Sequence, residues 1–150
     1  MTAAGPISVD AFLADSVSSE EGKLHAQGAG WNRILTAGLP TLQGRIGLGL
    51  LLRVPAAGAG GEHQLEIALH GPDGERLPLG VVAEDGGAPI ESVTGTFAVE
   101  TDGAVEEELL PVAINLDGLR LEREGIHRFV VSVDGAAIRT LPFTVALHDD

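Results

Sequence analysis

The side chains able to do chemistry in this chain are five histidines and 22 carboxylates, with no cysteine among them. Their densest grouping is HQLEIALHGPDG, from His63 to Gly74. Such a group would hold a metal only if its donors converged, because metal–ligand bonds are about 2 Å long. The residues between them argue against that. Leu65, Ile67 and Leu69 alternate with Gln64, Glu66 and Ala68, which is the period of a half-buried strand. On a strand, His63 and His70 fall on opposite faces and roughly 23 Å apart. Each is expected at a strand end. His25 in GKLHAQ, His127 at the opening of another apolar run and His148 in the tail HDD are scattered along the chain. There is no H-x-H, no HExxH and no cupin-like spacing, so no metal site and no cofactor are expected.

Nucleophiles are equally unsupported. Without cysteine there is no thiolate and no disulfide framework. Gly95 lies between Thr94 and Thr96, but no G-x-S-x-G elbow occurs. Ser16, Ser18 and Ser19, beside Glu20 and Glu21, read as a polar loop. The acidic run ETDGAVEEE (Glu100 to Glu108) lacks the spacing of a calcium loop. AQGAGWNR lacks the GK[ST] ending of a phosphate loop. No catalytic residue is expected, and the chain reads as a non-enzyme. A hydrolase or metal enzyme would have to be assembled from distant histidines and carboxylates.

Trp31, the one tryptophan, with Asn32 and Arg33 beside it, forms the candidate binding group. Tryptophan and arginine are enriched at binding hot spots. On a strand running from Lys23, Trp31 would share a face with His25, Gln27 and Ala29. A place at the edge of the core is favoured over an exposed anchor.

The elements that would position these residues are strands. Ile46, Leu48, Leu50, Leu52 and Val54 alternate, as do Phe129, Val131 and Val133, and Leu141, Phe143, Val145 and Leu147. Helix signals are nearly absent. Strands are expected near 7–14, 23–34, 45–54, 63–70, 76–82, 93–100, 109–116, 127–133 and 138–147. Asp73-Gly74, Asp102-Gly103, Asp117-Gly118 and Asp134-Gly135 lie between apolar runs and mark turns, where positive φ is needed. Pro142 cannot donate to a ladder, so the last strand should have a free side or a bulge there. The pattern predicts an all-β fold, a two-layer antiparallel sandwich of immunoglobulin-like or jelly-roll-like type. Its core should hold Leu48, Leu50, Leu52, Leu65, Ile67, Leu69, Phe97, Ile114, Phe129, Val131, Phe143 and Val145.

Length favours one domain over 1–150, with short flexible termini and mobile loops near 55–62 and 83–92, where glycines crowd. The formal net charge is −13 and Lys23 is the only lysine. Phosphate binding relies on Lys and Arg, so no nucleic acid partner and no anionic membrane partner are expected. IGLGLLLRV is too short to span a bilayer as a helix, and the first residues carry no basic, then apolar, leader pattern. A cytoplasmic location is expected.

GKLHAQGAGWNRI (Gly22 to Ile34), VDAFLADS (Val9 to Ser16) and EREGIHRFVVSVDGAAIRTLPFTV (Glu122 to Val145) together resemble a family of small bacterial proteins of unknown function. Members share a GKL strand ending in a glycine and an aromatic, and a late glycine-led strand. The resemblance covers most of the chain and implies a β-sandwich with no established catalytic residues. His127 stands where relatives often carry an aromatic. The function expected is a non-catalytic binding or scaffold module acting through protein–protein contacts, with an unidentified protein partner or self-association through an edge strand. The alternative is a sandwich that binds a carbohydrate or small polar ligand near Trp31.

Overall fold

The computed structural model describes residues 7–55, 61–82, 88–99 and 106–148. The chain ends, the middle of both glycine-rich loops and the Asp102-Gly103 pair lie outside these residues. Among the described residues there is no helix. The strands are β1 (Ser8–Ala14), β2 (Ser16–Glu20), β3 (Lys23–Gln27), β4 (Arg33–Thr36), β5 (Thr41–Pro55), β6 (Gly61–His70), β7 (Arg76–Leu77), β8 (Val81–Val82), β9 (Ala88–Pro89), β10 (Val93–Val99), β11 (Glu107–Leu121), β12 (Gly125–Val133) and β13 (Ala136–Leu147). One sheet runs β1-β5-β11. A second runs β10-β6-β12-β13-β4, with β7 on β6. Two small ribbons, β2-β3 and β8-β9, complete the fold.

Alternation decides which side chains meet. Ile46, Leu48, Leu50, Leu52 and Val54 of β5 are at most 1% exposed. They join Ile67 and Leu69 of β6, Phe129 and Val131 of β12, and Phe143 and Val145 of β13 in one core shared by the two sheets. Ten of the twelve expected core residues are buried there. Phe97 and Ile114 are the exceptions: they pack on the core but keep some exposure, because β10 and β11 are edge strands.

Several expectations are corrected. The strand expected over 23–34 is two strands, because Gly28 and Gly30 take positive φ (62° and 96°) and turn the chain. A side chain at Gly28 would also strike the Asp15 carboxylate. The strand expected over 76–82 is likewise interrupted, between β7 and β8. Ser16, Ser18 and Ser19 lie in β2, paired with β3, rather than in a loop. Finally, β4 pairs with β13 in parallel, so the second sheet is mixed. β4 covers β13 only from Thr144 onward, which leaves Pro142 the one-sided place a proline needs.

Asp117-Gly118 is the most instructive difference. It is no turn: β11 runs through it against β5 in unbroken register. Gly118 has φ 76°, a conformation glycine reaches without steric cost. The buried positions of β11 switch there from Leu116 to Leu119 and Leu121. The glycine thus flips the alternation and keeps both halves of a 15-residue strand packed on the same core.

Candidate binding site

Two histidines occupy inward positions at different places on the second sheet. His63 on β6 stacks on Phe97, its cross-strand neighbour, with ring centroids 5.3 Å apart. Its Nδ1 lies 2.7 Å from Oδ2 of Asp134 in the β12–β13 turn. The Gln64 N–H donates to the same carboxylate at 2.9 Å. The His63 hydrogen bond and the Gln64 N–H hold the Asp134 pKa below its ordinary value. His70 closes the same strand, and its Nδ1 lies 3.3 Å from the Gly74 carbonyl. The two rings of HQLEIALH therefore serve opposite ends of β6, as its strand period demands.

His127 on β12 is different. Among the described residues it is the sole buried polar or charged side chain, at 1% exposure. Its alternation partners Phe129, Val131 and Val133 are all apolar and buried. Its ring stacks on Phe143 at 5.3 Å, and Phe143 stacks in turn on Phe129 at 5.3 Å. Nδ1 lies 3.1 Å from the Gly125 carbonyl, so the neutral ring donates there and keeps Nε2 as an acceptor. Burial holds its pKa below the usual histidine value; Gly125 and Glu75 oppose that shift and Arg123 adds to it. Gly125 itself has φ 126°, and a side chain there would meet Pro72 at 2.9 Å. No other residue would place that carbonyl so cheaply.

His127 lines a cleft of about 280 Å³ with Pro72, Glu75, Leu77, Pro78, Arg120, Glu122 and Arg123. The β6–β7 connection forms one wall. There Gly71 N–H donates to the Glu75 carbonyl at 2.8 Å and Gly74 N–H to the Gly71 carbonyl at 2.9 Å, so Asp73-Gly74 is the turn its sequence announces. The β11–β12 connection forms the other wall. Arg123 clamps the two together, donating to Asp73 at 2.7 Å and to Glu75 at 2.5 Å. Arg120 Nε donates to Glu122 at 2.9 Å. Glu75 Oε1 is buried without a hydrogen-bond partner among the described residues. The cleft therefore offers apolar walls, charges of both signs and an imidazole acceptor in one place.

Trp31, Asn32 and Arg33 lie elsewhere, between β3 and β4 and at the start of β4. Trp31 is half-buried against the core, the core-edge role favoured from sequence, although it does not share a strand with His25. Its Nε1 is buried and unpartnered. Trp31 and Arg33 line a separate cleft of about 290 Å³ with Asp15, Gln43 and Arg45. Asn32 is exposed, and its carbonyl accepts the Thr144 N–H at 2.9 Å. Arg45 of this lining is paired twice with Asp117, at 2.7 and 3.1 Å.

A third feature is the outward face of the β1-β5-β11 sheet. At one end the β2-β3 ribbon covers it. Asn115 holds the ribbon by donating to the Val17 carbonyl at 2.9 Å and accepting the Val17 N–H at 3.0 Å. Gly47 lets the Ser16 backbone approach, since a side chain there would meet it at 3.2 Å. Beyond the ribbon, Phe12 lies over Gly49, and Leu51 and Pro111 are paired beside them. Leu109, next along β11, is 49% exposed. Arg53 borders this apolar area, bonded to Asp10 at 2.6 Å and Glu107 at 2.5 Å.

The sequence pointed to Trp31, Asn32 and Arg33 and passed over the His127 cleft. One signal was present: His127 sits at an inward position of a strand whose other inward residues are apolar. Glu75, Arg120 and Arg123 carried none, because their convergence depends on two connections 45 or more residues apart in sequence.

The profile of a family of unknown function, DUF6941, matches residues 9–146. No curated protein matches the chain. Among solved structures, the alkylpurine DNA glycosylase AlkC of Pseudomonas fluorescens, bound to DNA containing an abasic site analog, is similar at TM-score 0.45 and 12% identity. The match covers 93% of this chain and 30% of the glycosylase, so the chain spans less than a third of that protein's length. This neighbour binds DNA. Among the expected partners, only the exclusion of nucleic acid stands against that finding and is corrected; a protein partner, a second copy at an edge strand and the exclusion of a membrane are not touched by it. The physical reason is that net charge sums over the whole chain and does not describe any one face. The likeness does not carry the glycosylase's ligand over to this chain.

Proposed function

The chain belongs to the DUF6941 family of unknown function, and from that premise we propose that it is a non-catalytic binding or scaffold module acting through protein–protein contacts. In this reading the two large sheets form a two-layer sandwich of immunoglobulin-like or jelly-roll-like type. The observation that supports it is the half-covered apolar face of the β1-β5-β11 sheet. The chain's own ribbon buries one half of that face through Asn115 and Val17. Phe12, Leu51, Leu109 and Pro111 lie on the other half. Contiguous exposed apolar surface with a charged border marks interaction sites on folded proteins, and Arg53 with Asp10 and Glu107 supplies such a border.

The test is affinity capture from native lysate with the wild-type chain and with a Leu51→Glu, Leu109→Glu double variant of unchanged melting temperature. A protein retained by the first and lost by the second supports the reading. Identical captures, empty captures or recovery of nucleic acid alone would overturn it.

The second reading, a carbohydrate or small polar ligand near Trp31, draws on the unpartnered Trp31 Nε1 beside Arg33 and Gln43. Quenching of the single tryptophan's fluorescence across a glycan panel tests it, and a flat response removes it.

A further inference from the structure

The two large sheets end in four strands, β1 and β11 on one, β10 and β4 on the other. An open edge presents unpaired backbone N–H and C=O groups, and folded proteins blunt such edges with charge, proline or shortness. Three of these four edges are blunted in that way. β1 carries Asp10. β11 carries Glu107, Glu108, Pro111 and Asp117. β4 is four residues long and begins with Arg33. The stretch of β13 that β4 leaves uncovered carries Arg139 and Pro142. β10, VTGTFAV, has seven residues with neither a charge nor a proline, in a chain of net charge −13. Among the described residues it pairs only with β6, so every second residue turns its N–H and C=O to an open side.

Gly95 adds an independent observation. A glycine weakens a strand interior and often marks the close approach of another backbone. Gly28, Gly47 and Gly49 are explained within the chain, each by a neighbour that a side chain would meet. Gly95 has no positive φ, and nothing lies within 4 Å of where its Cβ would stand. The fold of one copy gives no reason for it. Two residues on, facing the same way, Phe97 stacks on His63 and keeps some exposure.

We propose that β10 pairs, antiparallel, with β10 of a second copy of this chain, about a two-fold axis at Thr96. Val93 then faces the partner's Val99, Thr94 the partner's Ala98, Gly95 the partner's Phe97, and Thr96 the partner's Thr96. Each Phe97 ring lies over the partner's Gly95, where no Cβ obstructs it, and an aromatic in that position offsets the weakness of an edge glycine. The two threonines at the axis form a favourable cross-strand pair. No like charges meet along the seam, which β11 with its acidic residues could not achieve. A second copy is the occupant because β10 complements itself: the gap at Gly95 and the ring at Phe97 are equally far from Thr96. Five strands from each copy make one continuous sheet of ten, and the contact is isologous, so it closes at the dimer. The pairing is independent of the apolar face on the β1-β5-β11 sheet.

Sedimentation velocity of the full chain over a concentration series tests it, and a monomer–dimer equilibrium is expected. Thr96→Glu, at an exposed position, sets two like charges against each other at the axis and should raise the dimer dissociation constant at least about tenfold. Thr96→Val, neutral and suited to a strand, should leave it within about twofold. The Leu51→Glu, Leu109→Glu double variant should also leave it unchanged, which separates this contact from the apolar face. Thr96→Cys, in a chain with no cysteine of its own, should give a disulfide-linked dimer under mild oxidation, and Thr140→Cys, exposed on β13, should not. A monomer at every concentration, a dimer that Thr96→Glu leaves intact, a dimer that the Leu51, Leu109 variant abolishes, or equal cross-linking at the two cysteines would each overturn the proposal.

Discussion

His63 and His127 begin from the same local circumstances and end in different ones. Both occupy inward positions on neighbouring strands, and both stack on a phenylalanine at 5.3 Å. His63 ends in a carboxylate, 2.7 Å away on a solvent-facing turn. His127 ends in a backbone carbonyl within its own strand and is closed over at 1% exposure. The first ring is tied to a carboxylate on an exposed turn. Burial with a neutral partner suits the second ring only in its uncharged form. The role of a strand histidine is thus set by the partner its Nδ1 finds and by how far the ring is covered, and the strand period specifies neither.

The largest test removes the frame on which both rings depend. Val131 is fully buried at the centre of β12, and Val131→Asp would place an unpaired charge among apolar side chains. That costs several kcal/mol, against a total stability of about 5–15 kcal/mol for ordinary domains. Loss of the strand circular dichroism signal is expected; a near-wild-type melt would contradict the register of β12.

The next test separates the histidines directly. His127→Ala should cost about 2–4 kcal/mol, as for other large-to-small changes in a packed interior. His63→Ala should cost about 1 kcal/mol, typical of a partly exposed site. Urea unfolding of both variants measures the difference, and equal losses would erase the distinction.

A third test uses protons. The folded-state pKa of His127 is depressed, so between the folded and unfolded values the unfolded chain binds more protons. Stability from this group is therefore full above the unfolded histidine value of about 6.5 and declines as pH falls through the folded value. His127→Phe, which keeps the stack on Phe143, should flatten that decline. An unchanged pH profile would show that burial does not govern the ring.

The smallest effect belongs to the other end. Asp134 has a depressed pKa, so its contribution is present above the ordinary carboxylate value of 3.8 and fades at more acid pH. Its side chain is exposed, so Asp134→Asn should shift the melting temperature slightly near neutrality and less still in acid, measured by differential scanning calorimetry.

Much of the framework was legible in the residues. The alternation of Ile46, Leu48, Leu50, Leu52 and Val54 announced β5 and its buried face, and that of Phe129, Val131 and Val133 announced β12. The apolar identity of Phe97 and Ile114 points them to the core and says nothing about whether their strand has a neighbour on both sides. At Asp117-Gly118, a glycine able to reverse the chain is also able to turn a strand's face over; the opposing strand, present throughout as β5, decides between the two outcomes. Gly28 and Gly30 fit a strand interior for the converse reason, no pairing being visible in the sequence to require or forbid it.

The amino-acid sequence by itself determined that this chain is built of strands, which residues those strands turn inward, and that a histidine intrudes on one apolar row. These are properties of neighbours two residues apart, where the pleat acts directly. The tertiary structure decided that Glu75, Arg120, Arg123 and His127 share one cleft, that Asn115 holds the ribbon over half a sheet, and that His63 finds Asp134. Each of those meetings joins segments far apart along the chain, and they exist only once sheet order and register bring them together.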